Sequence, residues 1–116
     1  MRVASSLLKW LSVCLFSGLV SADTVNISGD WQHSEKPVVL YFDLMRGVAI
    51  VKDHQQIKNN EGLTVIKAIQ AETDNRWSGE MYDGYQQQYV SVSITSDGQT
   101  LTVYTAAEEP VLTLYR

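Results

Sequence analysis

Glu80 and Asp83 stand three residues apart in the run NRWSGEMYDGYQQQY, residues 75–89, among Trp77, Tyr82, Tyr85 and Tyr89. Two carboxylates facing each other across a bond are the machinery of glycoside hydrolysis, and aromatic rings beside them suit a sugar-binding groove. On an extended strand, however, successive side chains point to opposite faces. Glu80 then shares a face with Ser78 and Tyr82, while Trp77, Gly79 and Met81 share the other. The ring best suited to burial and the carboxylate point apart. The run therefore reads as the two faces of a sheet around a hairpin at Asp83–Gly84, rather than as a catalytic centre.

The other residues able to do chemistry are scattered. His33 and His54 lie in separate segments, without a second ligand two or four residues away, and a zinc site needs three or four clustered ligands. They read as surface histidines, and no metal is expected. The segment DGYQQQYVSVSI lacks the alternating Asp/Asn pattern and closing Glu of a calcium loop. No GxSxG elbow is present, and the one cysteine, Cys14, falls in an apolar leader. With no nucleophile, carboxylate pair or cofactor motif, the sequence points away from an enzyme and away from any cofactor.

The leader sets the compartment. Arg2 and Lys9 precede the apolar stretch Trp10–Val20, and Val20-Ser21-Ala22 supplies small residues before Asp23. This is the pattern of a signal peptide, 1–22, cleaved after Ala22. The apolar stretch is shorter than the roughly 20 residues a membrane helix needs, so no stable span is expected after cleavage. The exported part, 23–116, contains no cysteine and must hold together without disulfides. The chain carries a net charge of −4, more negative once Arg2 and Lys9 are gone, and it has no basic run. Nucleic acid and anionic lipid are therefore poor partners.

From Gly29 onward, β-rich runs alternate with turn signals. The runs are GDWQHS, VVLYFDL (38–44), VAIVKD (48–53), LTVIKAIQ (63–70), RWSGEMY (76–82), QQYVSVSITS (87–96), QTLTVYTA (99–106) and VLTLYR. Between the third and fourth lies the polar stretch HQQIKNNEG. Asp83–Gly84 and Asp97–Gly98 are read as the central pairs of type I′ hairpins. Val90, Val92 and Ile94 alternate with Tyr89, Ser91, Ser93 and Thr95, and Leu101 and Val103 alternate with Thr102 and Tyr104. Such alternation gives each strand one buried and one wet face. In 63–70 a helical spacing of Leu63, Ile66 and Ile69 competes, but Thr64, Val65 and Ile66 are stiff β-branched residues and favour a strand. Eight short strands with no helix imply an all-β fold of one domain, 23–116, an antiparallel barrel or sandwich, of which the barrel leaves no open edges. Trp31 on the first strand is placed to close one end, with Arg116 over its ring as a cation–π partner.

These residues resemble a known family. GDW, RWSGEMYD followed by a tyrosine-bearing strand, SDGQTLTVY and a last strand ending in Arg are similar to the small exported bacterial proteins catalogued as domain of unknown function 2147. Trp77, Gly79, Met81, Asp83 and Tyr85 or Tyr89 fill the positions of that family's Trp–Gly–apolar–Asp–Tyr pattern. Gly84 stands where the family has proline, Ser78 or Glu80 where it has a glycine, and Tyr115 where a tryptophan precedes the final Arg. The GxW start and closing Arg also resemble the lipocalin or calycin pattern. The resemblance implies a small eight-stranded antiparallel up-and-down barrel, lipocalin- or calycin-like, in the periplasm of a Gram-negative bacterium, with Trp31 and Arg116 as a structural pair. It implies no catalytic residue.

Two functions follow as expectations. One is binding of a small apolar or amphiphilic ligand inside the barrel, admitted opposite Trp31. Trp31, Trp77, Met81, Val90, Val92, Ile94, Leu101 and Val103 would line it or fill the core, with Leu112 and Leu114. The other is an envelope protein-interaction module with a filled core, acting through the 82–89 aromatic edge, the 54–62 loop or the outer face.

Overall fold

A computed structural model describes residues 24–116. The expected signal peptide, with Cys14, lies outside the described residues. Eight antiparallel strands follow one another around a closed up-and-down barrel: β1 (Gly29–His33), β2 (Val38–Asp43), β3 (Val48–His54), β4 (Thr64–Thr73), β5 (Arg76–Asp83), β6 (Gln88–Ser96), β7 (Thr100–Thr105) and β8 (Pro110–Tyr115). A single 3₁₀ turn, Lys58–Asn60, interrupts the long β3–β4 loop. The segment in which helix and strand compete is a strand, and it runs on to Thr73. Its β-branched residues outweigh the three-residue spacing because flanking strands on both sides supply ladder partners.

The hairpins fall where the sequence places them, but their chemistry differs from type I′ turns. Asp83 pairs with Gln88, so four residues form the loop, and Gln87 rather than Gly84 takes positive φ, 56°. Asp83 Oδ1 accepts the N–H of Tyr85 at 2.8 Å and of Gln86 at 3.3 Å. The β2–β3 turn repeats this plan. Asp43 pairs with Val48, its Oδ1 accepts the Arg46 N–H at 3.2 Å, and Gly47 takes φ 68°. At the β6–β7 turn Asp97 again stands before the bend, and Gly98, φ 100°, begins it. In all three the aspartate caps the turn from outside, the local role for which its short carboxylate is suited.

One irregularity shapes the wall. Across β4–β5, Lys67 pairs with Glu80 and Gln70 with Ser78, leaving Ala68 and Ile69 opposite Gly79 alone. This is a β-bulge, and Ala68 takes φ 55° to make it. Gly79 has no room for a side chain there: a Cβ would lie 3.1 Å from Ile66 Cγ2 and 3.3 Å from Lys67 O. The bulge also lets Ile69 donate its N–H to Gly47 O at 3.0 Å, docking the β2–β3 turn on β4.

The barrel closes where β1 meets β8, through only Gln32↔Tyr115 and His33↔Leu114, extended by a Ser34 N–H to Thr113 O bond of 3.1 Å. Every other ladder joins strands that are consecutive in sequence. The inward positions of all eight strands, with Ile27, form one apolar core.

Candidate functional site

The interior is the first place to look for a ligand. A void that held water would leave accessible area on the side chains around it. Ile27, Phe42, Ala49, Ile66, Ile94, Leu101, Val103 and Leu114 have none. Trp77 is 4% exposed and Trp31 1%, so both rings fill the core rather than line a pocket. Val92 is likewise buried. Met81, Val90 and Leu112 are partly buried and pack on the core from outside its tightest layer. Of the eight residues expected to line a cavity or fill the core, six sit in packed interior and two, Met81 and Val90, nearer its margin.

One end of the barrel is closed. The segment 24–28 reaches from the β4–β5 turn, where Val25 N–H donates to Asp74 O at 3.0 Å, across to β1. Ile27 is carried beneath the core, and its carbonyl accepts the Trp31 indole N–H at 3.0 Å. Arg116 lies over the Trp31 ring, with Cζ 4.2 Å from the centroid. The same guanidinium donates to Ser28 O at 2.9 Å, Gly98 O at 3.1 Å and Asn26 O. A planar fork with several donors can hold three strands' ends at once, which a lysine could not. Trp31 and Arg116 are thus brought together.

The opposite end is made of loops: 34–37, 55–63, 84–87 and 106–109. Ile57, Leu63, Tyr85 and Val111 are exposed there. Both histidines stand at this end. His33 pairs with buried Leu114, and His54 with buried Val38. They are partly exposed at the rim of this end, on the inward face of their strands, and their ring nitrogens are turned to the loops that follow. Lys58 bridges Asp53 at 3.0 Å and Glu61 at 3.4 Å nearby. The strong hydrogen bond and charge of Lys58 hold the Asp53 carboxyl below its ordinary range.

The outer wall divides into two chemistries. The outward faces of β5–β8 carry Ser78, Ser91, Ser93, Thr95, Thr102 and Thr113, with Tyr82, Tyr89, Tyr104 and Tyr115. Three shallow depressions lie along this half. One of about 360 Å³ has Gln70, Ser78, Glu80 and Ser91 on its lining. Others, of about 240 Å³ and 280 Å³, share Thr95 and add Arg76, Ser93, Tyr104 and Thr102. Next to the first, Tyr82 and Tyr89 pair across strands with ring centroids 5.4 Å apart, edge to face. Tyr89 is fixed twice more: its hydroxyl donates to Thr64 O at 3.1 Å, and Lys67 Nζ sits 4.2 Å from its ring centroid. Lys67 Nζ also lies 4.0 Å from Glu80 Oε1. Outward positions of β1–β3 instead carry Asp30 bridged to Lys52 at 2.7 Å, with Tyr41 their one outward aromatic ring.

Glu80 and Asp83 do not form a carboxylate pair. Asp83 is spent on its turn, while Glu80 faces Lys67 and Ser91. Among the described residues no group of three or more His, Cys, Asp or Glu side chains is placed to hold a metal. No described helix is long and apolar enough to cross a membrane. No family model, curated protein or solved structure matches the chain. The resemblance to the exported family rests on the residues quoted for it.

Proposed function

We propose that the protein is an exported, periplasmic interaction module that binds an envelope protein through the outer face of β5–β8. The observation that carries this reading is the concentration of tyrosine, serine and threonine there, over a core already filled by its own side chains. Tyrosine gives a large amphipathic contact for little lost rotamer freedom, and small hydroxyls adapt their hydrogen bonds to a partner; binding loops of antibodies use the same mixture. The Tyr82–Tyr89 pair adds preorganisation, since Lys67 and the Thr64 carbonyl hold one ring before a partner arrives.

A photo-crosslinking residue at position 82 or 104, with position 41 on the opposite wall as control, tests the proposal in exporting cells. The same partner should be recovered from 82 and 104 but not from 41, and be lost with Tyr89→Ala. Recovery of nothing specific, or equal recovery from 41, would overturn it. The other expectation, a small apolar or amphiphilic guest inside the barrel, has less support. The filled middle leaves such a guest only the margin near Met81, Val90 and Leu112. Saturable binding of a fluorescent fatty acid, competing with no surface variant, would favour it instead.

A further inference from the structure

His33 and His54 occupy matching places. Each is the last residue of its strand, at the loop end, facing inward. Each turns Nδ1 back on the chain that follows. His33 Nδ1 accepts the N–H of Glu35 at 3.0 Å and of Lys36 at 3.2 Å. His54 Nδ1 accepts the N–H of Gln56 at 3.2 Å and of Ile57 at 2.9 Å. An aspartate or asparagine ordinarily makes this cap. The two capped loops are tied to each other, because Gln55 N–H donates to Pro37 O at 3.1 Å.

A nitrogen that accepts two N–H groups has no proton of its own, so each ring must be neutral with its hydrogen on Nε2. Protonation puts an N–H on Nδ1. Both accepted bonds are then lost, and donor faces donor. We propose that His33 and His54 form an acid-released latch on the loop end of the barrel, closed when both rings are neutral and open when they are charged. Opening frees the turn 34–37 and the start of the β3–β4 loop together, through their shared bond.

The surroundings favour the neutral form at His33. Facing it are Glu35 and Lys36 from its own turn, Val38 from β2 and Leu114 from β8. The rest of the adjoining depression, of about 240 Å³, is Ser34 and the uncharged run Pro110–Thr113. Burial, and then Lys36, lower the His33 pKa against the opposing pull of Glu35. Around His54 the charged groups are Asp53, Lys58 and Glu61, already joined to one another, and Glu61 Oε2 accepts the His54 backbone N–H at 3.4 Å. The residue type is the reason for the pH range: aspartate in the same place would stay charged down to acid, whereas imidazole changes state near neutrality.

The test is amide hydrogen exchange with NMR on the exported chain between pH 7.5 and pH 5. Protection factors of Glu35, Lys36, Gln56 and Ile57 should fall about tenfold or more, the worth of about one such hydrogen bond, while those of Val25 and Arg116 hold. The double variant His33→Asn, His54→Asn keeps an acceptor that does not titrate, and should keep the loops protected at both pH values. Loosening that persists in this variant would overturn the latch, as would simultaneous loosening of Val25 and Arg116. Imidazole nitrogen shifts of the unaltered chain at pH 7.5 give a reading that needs no variant. Both rings should show bare Nδ1, and a proton found there would also overturn the proposal.

Discussion

The two ends of this barrel are shut by different means. At the closed end the fastening is an indole, an isoleucine and a guanidinium, groups that keep one state across the physiological range. At the loop end two turns hang on imidazole nitrogens and on each other. The first device draws on buried apolar area and cannot be adjusted by conditions. The second draws on a few hydrogen bonds and can. A chain that builds both fixes one end of its barrel and leaves the other responsive.

Trp31→Ala is the severest way to break this contrast. It should cost about 3–5 kcal/mol, the usual loss for truncating a buried Trp, read from a denaturant midpoint with unchanged slope. A loss under about 1 kcal/mol would mean that the ring is not the keystone of the closed end. Arg116→Ala comes next, at roughly 1–3 kcal/mol, from the stacked cation and its carbonyl bonds. Arg116→Lys should recover only part of this, because an ammonium cannot bond Ser28, Gly98 and Asn26 together while lying flat on the indole.

Acid then separates the ends. The lowered His33 pKa means that the unfolded chain binds the proton more readily. Its stabilising effect is complete above the unfolded value of 6.5 and is lost as pH falls through the folded value. At the closed end, the N–H groups of Thr100 and Gln99 hold the Asp97 carboxyl below its ordinary value of 3.8. That contribution is present above 3.8 and is lost only as pH falls through the lower folded value. Stability against pH should therefore fall in two steps, with His33→Asn weakening the upper one and Asp97→Asn the lower, to which Asp53 at the loop end also contributes. A single step would merge the two ends. The smallest effect is expected from Lys52→Ala, whose exposed bridge to Asp30 should leave the midpoint unchanged, since such pairs are screened by water.

The strands were legible because period-two alternation is strong in Val90–Thr95 and Leu101–Tyr104 and because each run ends on a turn signal; closure rested on the cost of open edges and on the resemblance, since the same spacing also fits a sandwich. The turn types were not. Asp-Gly was read as a central pair, but a carboxylate that can reach N–H groups two and three residues ahead is better placed before the bend, and Gln87 accepts the positive φ that Gly84 does not need. The bulge at Ala68 left no mark, since alanine seldom takes that conformation; Gly79, the residue made necessary by it, lies on another strand. Trp31 and Arg116 were legible as a pair because Trp31 lies on the first strand and Arg116 directly follows the apolar last strand, the two that meet at the seam. The outer face was half legible: alternation put Tyr82 and Glu80 outside, but only the register brings Tyr89, Lys67 and Ser91 beside them. The capping role of the two histidines leaves no signal in the sequence, because a capping imidazole has no spacing rule beyond a polar loop after a strand.

The seam between β1 and β8 has a kinetic meaning. Seven of the eight ladders form between neighbours in sequence and can zip one hairpin after another. The eighth must wait for strands from opposite ends of the domain, and it offers two ladder pairs when they meet. That distant contact carries the largest loop-closure cost of the eight, so β1–β8 pairing is expected to come last in folding. That cost is met less by the two ladder pairs than by one side chain, Arg116, which grips Trp31, Ser28 and Asn26 across the same seam.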